Sequence, residues 1–146
     1  MKYKNIRNGI YRSQLEVTAA QELDSNNIPY EYEPWVVTLM PGMDHIVTSY
    51  EKCGKEFKLQ KQKTRAITYK PDFVGKGWVM ETKGVRTPDF RLKWKLFKQY
   101  IADNNLGLTL FMPGNKKEII ESVRLIKELC KTQVNLKSKK RSLRSQ

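Results

Sequence analysis

The chain has 146 residues, with 28 Lys and Arg against 15 Asp and Glu, a net charge of +13 and a pI near 9.8. That length suits one domain with a substantial core, and that charge asks for a polyanionic partner, nucleic acid ahead of an anionic membrane. No stretch approaches the roughly 18 consecutive apolar residues of a membrane span, the N-terminus has no apolar signal core, and Cys53, Cys130 and the lone His45 offer neither a disulfide framework nor a zinc site, so the expected setting is cytoplasmic with reduced thiols.

Residues 1–11 are basic and expected to be mobile. A helix is predicted from Ser13 to Ser25, because Leu15, Ala19 and Leu23 recur at helical spacing and Asn26-Asn27 ends the pattern. Tyr30 to Leu39 reads as a strand, with Pro34 demoting part of it to an edge or bulge. Met40-Pro41-Gly42 marks a turn. Residues 43–66 admit two readings, a second strand pair or an extended arm around Cys53-Gly54 that could also serve dimerisation. From Lys52 to Lys70 there are seven basic residues and a single acid, Glu56, which suits either a phosphate-facing surface or a solvated loop.

Two further strands are expected, Ile67 to Val74 and Trp78 to Lys83, joined by a turn at Gly75 and Gly77. Pro88 opens a helix to about Asn104, with Phe90, Trp94, Phe97 and Ile101 on one stripe and Arg91, Lys93, Lys95 and Lys98 interleaved. The aromatics on it read as core rather than as stacking platforms for bases. Leu106 to Met112 reads as a buried strand, and Asn115 caps a last helix to about Lys131. From Lys137 to Arg144, five of eight residues are basic and none acidic, which predicts a disordered tail over 137–146 behind a single domain over 1–136. This order of elements makes an α/β chain, a central mixed sheet flanked by helices.

The chemistry concentrates in one hairpin. Pro71-Asp72 leads into it and Glu81-Thr82-Lys83 closes it. Side chains alternate along a strand, so Val79, Glu81 and Lys83 share a face, with Glu81 and Lys83 about 6.6 Å apart along it. Antiparallel pairing would bring Asp72 beside Glu81. Hard divalent cations take carboxylate oxygens, and a neighbouring lysine can orient water or offset phosphate charge, the needs of metal-dependent phosphodiester cleavage. The competing reading is a surface hairpin whose Glu and Lys merely face water.

Helix-borne Glu16, then Pro71-Asp72, then Glu81-Thr82-Lys83 on paired strands resembles the PD-(D/E)xK nuclease superfamily, and within it the phage endonuclease I type of Holliday-junction resolvase. The likeness rests on Arg12 to Glu16, Tyr30 to Trp35, and Tyr69 to Phe73 with Met80 to Gly84, and spans roughly residues 11–86. It implies a restriction-endonuclease-like core. It further implies catalytic Glu16, Asp72, Glu81 and Lys83, and one or two Mg2+ ions, replaceable by Mn2+, held by Asp72, Glu81, Glu16 and the Thr82 carbonyl. The implied reaction is hydrolysis by a metal-activated water, leaving 5′-phosphate and 3′-hydroxyl ends. The implied partner is DNA, branched or four-way, bound by a homodimer. The basic charge pattern, apart from the resemblance, makes Arg12, Lys70, Lys93, Lys95, Lys98, Lys139, Lys140 and Arg141 the expected DNA contacts. The implied setting is a bacterial host's cytoplasm. Ser13-x-x-Glu16 is also a capping box, which would account for both residues without catalysis. The Val36 to Thr68 segment is longer than the corresponding connection in that type, and is the expected dimer interface. Two other functions compete: a nicking or homing-type nuclease on duplex DNA, and a non-catalytic basic DNA-binding accessory. The presence of all four candidate residues argues against the accessory.

Overall fold

The computed structural model describes residues 9–44 and 47–144; the expected mobility of residues 1–8 and the environment of His45 lie outside that range. Among the described residues, three helices and eight strands follow in the order α1 (Gln14–Ser25), β1 (Glu31–Tyr32), β2 (Val37–Met40), β3 (Tyr50–Cys53), β4 (Glu56–Leu59), β5 (Ile67–Tyr69), β6 (Phe73–Gly75), β7 (Trp78–Met80), α2 (Pro88–Asp103), β8 (Thr109–Phe111) and α3 (Lys116–Arg144). The central sheet has the order β1-β6-β7-β8, antiparallel except for the parallel β7–β8 pair. It is therefore a mixed sheet flanked by helices, the expected α/β class.

Strand alternation divides the core in two. Phe73, Trp78, Met80 and Phe111 face α1 and α3, where Val17, Ala20, Leu23, Ile119, Val123 and Ile126 meet them. Val74 and Val79 point the other way, onto Phe90, Trp94, Phe97 and Ile101 of α2 and onto Val37 and Tyr69 of the two-stranded β2–β5 sheet. The aromatic stripe on α2 is thus core, as its spacing predicts. The β6–β7 turn needs its glycines. A Cβ on Gly75 would sit 2.1 Å from the Trp78 ring, and Gly77 takes φ +83 with the Gln133 side chain against it.

Five expectations are corrected. Tyr11 is buried rather than part of a mobile arm, its ring edge-on to Tyr32 and its hydroxyl 3.1 Å from that of Tyr30. The expected Tyr30–Leu39 strand is two strands in different sheets, broken where Glu33 takes φ +47 ahead of Pro34. The Ile67–Val74 strand is likewise split, because Pro71 has no N–H to donate to a ladder. β7 ends at Met80, although Glu81 and Lys83 continue the parallel pairing by donating to the carbonyls of Phe111 and Pro113. Finally, α3 runs through 137–144 instead of ending near Lys131, so the expected disordered tail is helical up to its last two residues, which are not described. No Pro or Gly interrupts 116–144, and its lysines, arginines and leucines are good helix formers. Both readings of 43–66 hold in part: it contains a strand pair, β3–β4, and that pair stands apart from the central sheet.

Candidate active site

The β6–β7 register pairs Phe73 with Met80, which sets Asp72 and Glu81 side by side just beyond the end of the ladder. They line an open cleft of about 560 Å³ together with Glu16, Glu33, Thr82, Lys83 and Lys93. A larger hollow, about 760 Å³, lies between Pro34–Thr38, Tyr100, Leu106 and Leu108, but it offers no carboxylate or lysine. The chemistry belongs to the smaller cleft.

Each carboxylate is gripped by named donors. Asp72 accepts from the Thr82 backbone N–H (2.8 Å) and hydroxyl (2.9 Å), both at Oδ2, which turns Oδ1 away from that clamp. The Tyr69 hydroxyl donates to Glu81 Oε2 at 2.5 Å. Glu16 accepts from the Tyr32 hydroxyl (2.6 Å), the Arg12 backbone N–H (2.9 Å) and the Ser13 hydroxyl (3.0 Å), while Ser13 Oγ caps the helix by accepting from Glu16 N–H at 3.2 Å. The capping reading of Ser13 and Glu16 is therefore realised, and it coexists with a place in the cleft. Ser13→Ala should cost about 1 kcal/mol of stability, read as a shift of the urea midpoint without a change in slope.

Electrostatics single out the pair at the sheet's end. Burial pushes the Glu81 carboxyl up to about 8, and the Asp72 charge adds to it; Tyr69 and Lys83 pull the other way. Asp72 is pushed up to about 6 by burial and by Glu16, against the Thr82 hydrogen bonds and Lys83. Burial and the Glu81 charge raise the Tyr69 hydroxyl far above its usual range, so it remains a donor. Desolvation and the Glu16 hydrogen bond do the same for Tyr32. The Lys83 ammonium lies 4.7 Å from the centre of the Phe90 ring, a cation–π contact that ties it to the first turn of α2. Thr87 caps that helix, so its N-terminus, which favours anions, forms one wall of the cleft.

Among the described residues no three acids, histidines or cysteines close round one point as a ready-made metal cage. The donor set nevertheless suits Mg2+. That ion keeps most of its waters and is usually held through only one or two carboxylates. Glu81 is buried and Asp72 half-buried beside it, each carboxyl is raised by burial and by a neighbouring acid, and a divalent cation would relieve both.

The structure brings Glu16, Asp72, Glu81, Thr82 and Lys83 together in this cleft, with Lys93 and Arg12 on its lining. Arg12 and Lys70 are held at its rim by Glu33, at 2.6 and 3.8 Å. Lys95 and Lys98 are exposed on α2 and do not line the cleft. Lys139, Lys140 and Arg141 are on the last turns of α3, beyond Gln133 and Lys137, which meet the β6–β7 turn at the opposite end of β7 from Glu81. Sequence reasoning missed Tyr32, Tyr69 and Glu33. Tyrosine at the ends of two strands flanking the acids was the available signal.

No family model matches this chain, and no solved structure does. Endonuclease I of Escherichia phage T7 is 32% identical to it over 99 residues, which are 66% of this chain and 52% of that protein. The chain thus spans about half the length of the curated relative it matches.

Proposed function

We propose that this protein is a metal-dependent DNA endonuclease that acts on branched DNA, four-way junctions in particular, and works as a homodimer on a restriction-endonuclease-like core. The observation that carries the reading is the adjacent pair of half-buried Asp72 and buried Glu81 beside Lys83 in the cleft of a +13 chain. The similarity to a phage endonuclease I supports it. Asp72, Glu81 and the Thr82 carbonyl would hold Mg2+ or Mn2+, with Glu16 able to reach its waters. When bound, the ion supplies a water of lowered pKa and positive charge at the scissile phosphate.

The chain's own residues do the rest. Thr82 fixes one Asp72 oxygen, and Tyr69 fixes one Glu81 oxygen, so each carboxylate presents a defined direction to the cleft. Lys83, braced on Phe90, places a positive charge where the phosphorane oxygens gain negative charge. Lys93 and the α2 N-terminus draw the backbone in. Such contacts read phosphate geometry, not base edges, so selectivity follows the shape of the DNA. Resolving a junction takes two opposed cuts, and one chain carries one Asp72–Glu81–Lys83 set. A twofold pair supplies the second.

The test is a nicking assay on a labelled four-way junction and on a linear duplex of the same sequence, with Mg2+ and with EDTA. Cutting of the junction alone, in Mg2+ alone, is expected, and Lys83→Ala should lower its rate about 10²–10³-fold with binding retained. Equal cutting of both substrates would favour a duplex nickase, and no cutting of either would remove the enzyme reading.

A further inference from the structure

The β3–β4 hairpin has no part in the site just described. Its two-residue loop puts Gly54 at φ +67, which the first position of a II′ turn requires, and a Cβ there would meet nothing within 4 Å. The tip therefore projects into open space. Below it the register pairs Tyr50 with Leu59 and Lys52 with Phe57, and pairs Glu51 with Lys58 and Cys53 with Glu56. Directly opposed residues share a face, so Tyr50, Phe57, Leu59 and Lys52 form one side of the ribbon. That side is uncovered: Tyr50 is 59% and Phe57 75% exposed, with their ring centres 6.2 Å apart.

A bare two-stranded ribbon is marginal on its own, and two exposed aromatic rings on it serve no core. Charge identifies what they face. Residues 49–65 carry six Lys and Arg against Glu51 and Glu56. Two copies of this surface would repel, and lysines on both strands discourage edge-to-edge pairing with another chain. A polyanion with exposed flat rings satisfies both halves of the surface. The ribbon is also rooted at the cleft. The Met43–Thr64 bridge continues the antiparallel pairing of β2 with β5, and β5 ends in Tyr69, which holds Glu81.

We infer that the β3–β4 hairpin is a second nucleic-acid contact, in which Tyr50 and Phe57 stack on unpaired bases of the DNA while Lys52, Lys55 and Lys58 hold its backbone. This rests on the proposed DNA substrate and extends it from phosphate geometry to exposed base faces, which a branch point or single-stranded flank offers and an intact duplex does not. Stacking on aromatic rings tolerates any sequence, since every base has a π-face.

The test uses the full chain in EDTA, so that binding is read without cleavage. Anisotropy titrations would compare wild type with the Tyr50→Ser/Phe57→Ser double variant on a single-stranded oligonucleotide, a four-way junction with a single-stranded flank, and a blunt duplex. Light scattering gives the molar mass of both proteins, and matched thermal melts show that the exposed substitutions leave the fold intact. The expected result is binding weakened about 10–100-fold on the first two DNAs, with duplex affinity and mass unchanged. A 2-aminopurine in the flank should be quenched by wild type and not by the variant. Unchanged affinity throughout, or an equal loss on duplex, overturns the stacking role; a fall in mass overturns it in favour of an interface between copies. Wild type that shows this binding pattern but never cuts in Mg2+ would sink the nuclease proposal and leave the hairpin's role standing.

Discussion

Asp72→Asn should abolish nicking and, without divalent cations at about pH 8, make the protein more stable than wild type by about 1–2 kcal/mol, or roughly 3–6 °C in melting temperature. Asparagine keeps a carbonyl oxygen for both Thr82 donors, so the clamp survives while a half-buried charge is removed. The sign follows from the raised carboxyls. Glu81 holds a proton up to about 8 in the folded protein, against 4.5 for the free side chain. Between those values the folded state binds more protons than the unfolded chain, so stability is fullest at low pH and falls as pH rises through the folded value. Removing the Asp72 charge takes away the second cause of that shift, so the variant's stability should decline less over about pH 5–8. Mg2+ should stabilise wild type near pH 8 and much less near pH 5, where protons occupy the same oxygens. Thermal melts of both proteins at the two pH values, with EDTA and with Mg2+, give all four comparisons. A variant less stable than wild type at pH 8 in EDTA would mean that the acids are not held together against their charge.

This trade between stability and chemistry explains which parts of the molecule were legible in its sequence. The helices announce themselves locally: Ser13 and Thr87 cap α1 and α2 with side chains three residues from the amides they meet, and Asn115 accepts from the Glu118 N–H at 2.9 Å ahead of α3. The β6–β7 hairpin is equally local, and with it the approach of Asp72 to Glu81. What was not legible depends on contacts distant in sequence. Tyr32 finds Glu16 across 16 positions and Tyr69 finds Glu81 across 12, and no spacing rule forecasts either. The 67–74 stretch looks continuous by composition, but Pro71 divides it between two sheets and lets Tyr69 face α2 while Phe73 faces α1 and α3. The C-terminal residues misled for a different reason. Their charge reads as a solvated tail, whereas their helix propensity carries α3 on to Arg144.

The other large effect is expected at Phe97, which touches no substrate. Its ring is fully buried on α2, 4.7 Å from the Tyr69 ring and 6.0 Å from that of Trp94. Phe97→Ala should cost about 3–5 kcal/mol through lost burial and the cavity left behind. For a chain of this size that lowers the melting temperature by roughly 10–15 °C. The consequence for the cleft is separate from the loss of stability. Tyr69 is wedged between Phe97 and Trp94, and its hydroxyl fixes Glu81, so without the ring beneath it Glu81 loses its orientation. Nicking should therefore fall about 10–100-fold even well below the melting temperature, as when a supporting partner of a metal ligand is removed. Ile126→Ala provides the control. Ile126 is just as buried but belongs to the α1–α3 side of the sheet, so it should cost a comparable stability while nicking by the folded protein stays at the wild-type rate. Tyr69→Phe completes the set: it keeps the packing, removes the hydroxyl, and should reproduce the rate loss with little change in melting temperature. Equal cutting by folded Phe97→Ala and Ile126→Ala would show that the α2 side of the core supports the fold and not the geometry of Glu81.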